Sequence, residues 1–200
     1  GLFKAETLAE RYQAAYDLPI YHSNQYIESK EQLNDLFHAH AYNGTTLCIL
    51  IGCVDNNASR KIMHDLYTMY DTMVYIDAGI DAVMEDDLVE SGYSGQVVVG
   101  YRARGKSILP ATGEVYPDIL SDTDSRLPTQ ACGLQAVYHP QRMQTNEMAA
   151  IVLAGYMNTI LFDRTIVSQY TNFNAYTQTT KPTYITKEQF ELGMGGFIYV

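Results

Sequence analysis

Leu47 to Val54 is an almost unbroken apolar run in which only Gly52 intervenes. A half-exposed strand alternates apolar and polar residues, whereas one covered on both faces does not, so this run predicts a strand inside an α/β sheet. Asp55, Asn56 and Asn57 mark its polar end, and Ile62, Met63, Leu66, Met69 and Tyr70 then recur at helical spacing over Arg60 to Tyr70. The stretch reads as strand, turn and helix. Upstream, Ala5, Leu8, Tyr12, Ala15 and Tyr16 lie three or four apart and predict a helix ending before Pro19. Pro19 to His22 suits a short strand, and Glu31 to His40, with Leu33, Leu36 and Phe37 on one side, a second helix.

Downstream, Met73 to Gly79 reads as another interior strand and Gly95 to Arg102, valine-rich between glycines, as a later one. The acidic residues from Glu85, Asp86 and Asp87 to Glu90 make a solvated connection between them. Residues 105–131 hold Pro110, Pro117 and Pro128 without a sustained period, which predicts a long loop. Met148 to Phe162 is apolar on nearly every side, the pattern of a buried helix, with Thr145 or Asn146 as its cap. Val167, Tyr170, Phe173, Tyr176, Tyr184, Ile185, Phe197, Ile198 and Tyr199, spread among threonines, suit late strands. Strands and helices taking turns have the rhythm of a doubly wound α/β sheet.

The 200 residues suit a single domain. No apolar run approaches the roughly 20 residues of a membrane-spanning helix, and the first residues lack a signal segment. Cys48, Cys53 and Cys132 are odd in number and form no C-x-x-C pair, which argues against a disulfide framework and a thiolate zinc site and fits a reducing cytoplasm. A net charge of −10 and a pI near 4.8 disfavour nucleic acid, whose phosphates are held by basic surfaces. Proteins and small molecules remain as partners.

Asp55 is the first chemical candidate. At the carboxyl end of an interior strand it faces the place where open α/β sheets bind ligands, so it either holds a metal or caps the following helix. Cys132, in P-T-Q-A-C-G-L-Q-A beyond the long loop, is either a nucleophilic thiolate or a small buried apolar residue. Cys48 and Cys53 belong to the apolar strand and read as core. His38 and His40, two apart, share no helical face, and His22, His64 and His139 have no ligand-like partner in sequence. No G-x-S-x-G turn supports hydrolysis, and no G-x-G-x-x-G follows an early strand. Gly193-Met194-Gly195-Gly196 is glycine-rich, yet no helix follows it to form an anion site.

The string G-C-V-D-N-N-A-S-R resembles the aspartate–asparagine turn, with arginine close behind, of the ThiF/MoeB/HesA family, the adenylating domain shared with ubiquitin-activating enzymes. Other segments fall in the family's order. Gly1, Lys4 and Ala5 match a G-x-x-K-A segment, Met73 to Gly79 precedes a small antiparallel pair, a polar start opens the alanine-rich helix near Met148, and Asn172-Phe173-Asn174 resembles the closing strand. The resemblance runs from Gly1 to about Asn174 and implies a Rossmann-like, doubly wound, mostly parallel sheet with late antiparallel strands. It also implies an ATP- and Mg2+-dependent enzyme that adenylates the C-terminal carboxylate of a ubiquitin-like or sulfur-carrier protein and works as a homodimer. By the same resemblance Lys4 contacts phosphate, Asp55 holds Mg2+, Asn56 and Arg60 hold the turn or touch the nucleotide, residues 105–131 form a crossover loop, and Cys132 takes the acyl group as a thioester where one is used. The family's glycine-rich nucleotide loop, acidic pair and phosphate-binding arginine lie upstream of these segments in relatives and have no match here. The expectation is therefore the rear part of a longer adenylating domain, or a non-catalytic scaffold or partner subunit that keeps the fold. A dehydrogenase is the weaker rival, because its carboxylate would follow a glycine-rich fingerprint by about 20 residues.

Overall fold

The structure is a computed structural model and describes residues 3–39, 47–84, 86, 89–127, 129 and 140–193. Two helices, α1 (Lys4–Tyr16) and α2 (Lys30–Ala39), precede the apolar run, which forms β1 (Cys48–Gly52). α3 (Asn57–Met69) carries the chain to β2 (Met73–Ile80), which lies parallel to β1 with Cys48 opposite Met73 and Gly52 opposite Asp77. β3 (Ser94–Ala103) then runs antiparallel to β2, and β4 (Lys106–Leu109) antiparallel to β3. Two short helices follow, α4 (Thr112–Val115) and α5 (Asp118–Ser121), and later α6 (Met143–Asn158), which ends in a π-helical turn over Thr159–Asp163. β5 (Ser168–Asn174), β6 (Thr179–Tyr184) and α7 (Lys187–Gly193) complete the described chain. The sheet order is β1-β2-β3-β5-β6, with β4 beside β3.

The α/β class and the late antiparallel strands agree with the sequence reading, while among the described residues the parallel portion is limited to β1 and β2. The connections explain why. Parallel neighbours need a crossover of a dozen or more residues, normally a helix, and α3 supplies one between β1 and β2. Residues 81–93 contain no helix among the described ones, and β3 turns into β4 through Arg104 and Gly105 at φ 52° and 74°, the left-handed pair of a tight hairpin.

The continuous apolar pattern of β1 and β2 reflects cover on both faces. Val74 and Ile76 point to one core, shared with Val97, Val99 and the α6 residues Ala149 and Tyr156. Met73 and Tyr75 point to the other, shared with Leu50, Met63, Leu66 and Tyr67, against which Leu33 and Phe37 of α2 pack. Alternate residues of one strand thus serve opposite layers.

Several expectations are corrected. Pro19–His22 is not a strand, since no described strand lies beside it to complete a ladder. Residues 105–131 are not one long loop but hold β4, α4 and α5, whose four-residue lengths are too short to show a period. α6 begins at Met143 with neither Thr145 nor Asn146 as its cap; the buried Thr145 hydroxyl instead donates to Gly92 O at 2.7 Å. Nor is α6 buried all round, for Ile151 is 72 % exposed. Residues 187–193, between the residues read as late strands, are helical. Gly1, His40, Glu85, Asp87, Cys132, His139, Met194 to Gly196 and Phe197 to Tyr199 lie outside the described residues.

Candidate functional site

The parallel pair β1 and β2 ends in a common direction, and the turn after β1 leads into α3. Asn56, with extended φ −139° and ψ 150°, is the cap of α3, its Oδ1 accepting from Ser59 N at 2.7 Å. Its Nδ2 donates to Asp55 Oδ1 at 3.1 Å. Asp55 therefore does not cap the helix, and its carboxylate stays exposed. The next α3 amide, Ala58 N, donates to Ser125 Oγ at 2.9 Å, and Asn57 Nδ2 donates to Asp122 Oδ2 at 2.7 Å. These bonds tie the segment after α5 to the start of α3. The Asn57 side chain and the backbone amides of Ser125 and Asp124 hold the Asp122 carboxyl below the usual carboxylate range.

Beneath the turn lies Arg60. Its Nε donates to Asp77 Oδ2 at 3.0 Å, and its Nη2 donates to Val54 O at 2.7 Å and Ala78 O at 3.3 Å. One guanidinium thus fastens the end of β1 to the end of β2. Asp77 is 2 % exposed, and its other oxygen accepts from the Tyr75 hydroxyl at 3.2 Å. Burial pushes the Asp77 carboxyl up, against the opposing pull of the Arg60 charge and of the hydrogen bonds from Arg60 and Tyr75. Gly52 is required beside it, since a Cβ there would meet Asp77 Oδ1 at 2.6 Å.

A cleft of about 260 Å³ opens above this pair. Cys53, Asp55, Arg60 and Ala78 line one side, and Asn146, Ala149 and Leu153 of α6 line the other. Asp55 and Arg60 therefore face the same space, at the carboxyl ends of parallel strands where α/β sheets bind ligands.

No family model and no curated protein matches this chain.

The cleft unites some predicted residues and leaves others out. Asp55 and Arg60 line it, and Asn56 sets the turn from just behind. Lys4 is exposed in the first turn of α1 and is not among the residues lining the cleft. Cys48 is core, as read from the sequence. Cys53 is not: it is exposed on the cleft because β1 has ended and its side chain leaves the layer. Partial desolvation at the cleft wall, with the nearby Asp77 charge, pushes its thiol up. Sequence reasoning missed Asp77 and Asn146. A lone carboxylate inside the apolar string M-V-Y-I-D-A-G was the available signal for the first; Asn146, drawn into a capping role by its position, carried none.

Among the described residues no group of three or more His, Cys, Asp and Glu gathers as a metal site. A magnesium ion does not require one, because it takes one or two carboxylates and completes its shell with water and substrate phosphates. Asp55 suits that role: an exposed acceptor, bonded by the Asn56 amide through one oxygen, on a cleft wall. No helix among the described residues is long and apolar enough to cross a membrane.

Proposed function

We propose that this protein adenylates the C-terminal carboxylate of a small ubiquitin-like or sulfur-carrier protein, with ATP as the second substrate and Mg2+ as its metal. The observation that carries the reading is the Asp55 carboxylate, relieved of capping by Asn56 and set on the cleft at the ends of β1 and β2. In the reaction a partner carboxylate oxygen attacks the α-phosphorus, a new O–P bond forms, the α–β bridging bond breaks, and pyrophosphate leaves with the electron pair. Two anions meet, so their repulsion needs an offset. Bound Mg2+ would neutralise charge on the phosphates, held through Asp55. The remaining work falls to the chain: Arg60 contributes a fixed positive charge below the cleft, and Ala149 and Leu153 restrict water on its far side. Support for Lys4 at the phosphates, for a thioester on Cys132 and for a homodimer rests on the resemblance; the exposed apolar Ile151 and Phe162 are compatible with the last.

The test is exchange of labelled pyrophosphate into ATP, dependent on the partner's terminal carboxylate. Asp55→Ala is expected to abolish exchange, whereas Cys132→Ala leaves it and removes only a thiol-sensitive conjugate. Exchange untouched by Asp55→Ala would end the metal assignment. A second reading, a non-catalytic scaffold of the same fold, draws on the size of the cleft. Its 260 Å³ lies below the roughly 300–1,000 Å³ of small-molecule sites, so these walls alone do not enclose a nucleotide. No ATP binding by the protein, together with stimulation of an active adenylating protomer, would favour that reading.

A further inference from the structure

The guanidinium of the buried ion pair under the cleft has more donors than fastening the two strands uses. A guanidinium carries five N–H donors in a rigid fork. In Arg60, Nε–H serves Asp77 and the two Nη2 hydrogens serve Val54 O and Ala78 O. Nη1 makes one contact, to Asn57 Oδ1, and at 3.4 Å it is the longest of the set. One Nη1 donor therefore has no partner among the described residues, on a side chain that lines the cleft. Fastening alone is a weak reason for the pair, since a buried ion pair is often replaceable by apolar residues without loss of stability.

The geometry points to Asp77 as a positioning residue: by fixing Arg60 Nε it orients the guanidinium so that Nη1 donates to an anionic oxygen, carboxylate or phosphoryl, of the molecule bound beside Asp55. The inference rests on the adenylating reading only for what that anion belongs to.

Two roles for Asp77 predict opposite signs. If it merely neutralised Arg60, Asp77→Asn would leave the cleft one unit more positive and an anion would bind more tightly. As a positioning residue, Asp77 replaced by a neutral amide holds Nε through a weaker hydrogen bond without charge assistance, and the anion binds more weakly despite the added charge. The experiment is calorimetric titration of the intact protein with inorganic pyrophosphate in the presence of Mg2+, comparing wild type, Asp77→Asn and Arg60→Lys, with melting curves to establish that each is folded. Asp77→Asn is expected to weaken binding roughly tenfold, the loss of one charge-assisted hydrogen bond. Arg60→Lys follows it, because a point charge cannot hold two carbonyls and a carboxylate together. Equal or tighter binding by folded Asp77→Asn overturns the inference, as does a wild type that binds no pyrophosphate. Should Asp77→Asn fail to fold, unchanged affinity in Arg60→Lys overturns it instead. The two proposals fail separately. Exchange lost in Asp55→Ala beside undiminished binding in Asp77→Asn sinks this one alone, and weakened binding without any exchange by wild type sinks the adenylating reading alone.

Discussion

His64 shows how much a single side chain can carry. It lies on α3 at 7 % exposure, against Gly113, where a Cβ would come within 2.8 Å of Nδ1, and that nitrogen has no hydrogen-bond partner among the described residues. Burial pushes the imidazole below its ordinary value; Glu114 and Asp65 pull it back up, while Lys61 and Arg102 press it further down. A folded value below the unfolded one means that the unfolded chain takes up the proton first. The contribution to stability is complete above about pH 6.5 and is lost as pH falls through the folded value. His64→Phe keeps a ring beside Tyr67 and removes the titration. The variant should melt at least as high as wild type at pH 7 and lose less on acidification to pH 5, read from melting temperature against pH; parallel curves would remove His64 as the cause. At this scale the sequence was legible where chemistry was local. Asp55 stood out because three polar residues end an apolar run. The tie between Arg60 and Asp77 spans 17 positions, from α3 to β2, so no short string announces it.

Elements are positioned as much by absent side chains as by present ones. Gly100 of β3 lies against Ala111, just before α4: a Cβ there would meet Ala111 Cβ at 2.4 Å and Ala111 Cα at 2.7 Å. The second of these is backbone, so relief requires the whole α4 segment to move. That segment is anchored on its other side, since Glu114 Oε2 accepts from Ala111 N at 2.8 Å and from Ser107 Oγ at 3.0 Å. Gly100→Ala should therefore cost about 1–3 kcal/mol of overpacking strain, measured as a lowered urea midpoint with unchanged slope. A change under about 0.5 kcal/mol would mean that α4 yields freely. β1, β2 and β3 carry strong apolar or β-branched runs and α3 a helical period, and all four sit where those signals placed them. β4, α4 and α5 are four residues each and owe their form to Gly105, Glu114 and the layer beneath, which no window along the chain reveals. α6 misled for the opposite reason: a helix apolar on every side reads as buried, although here only one side meets the sheet.

For the molecule as a whole, the telling feature is the outer edge of the sheet. β1 has the composition of an interior strand, yet among the described residues it pairs only with β2. Natural edge strands carry lysine, proline or a bulge to prevent pairing with other chains, and Cys48–Gly52 has none of the three. Ile51, on this strand, is 40 % exposed. The net charge of −10 opposes self-association at long range, but screening confines that repulsion to about 8 Å at physiological salt, so it does little once two edges meet. Ile51→Lys separates the two influences. It lowers the magnitude of the net charge by one, which by repulsion alone would promote association, and at the same time gives the edge the charge it lacks. The expected result is less self-association in sedimentation velocity as salt is raised, with thermal stability changed by no more than about 0.5 kcal/mol because the position is already part exposed. Association equal to wild type, or a large loss of stability, would mean that in solution this edge is already paired. The strand would then hold the interior position that its sequence describes, and the cleft at its carboxyl end would have a neighbour on its open side.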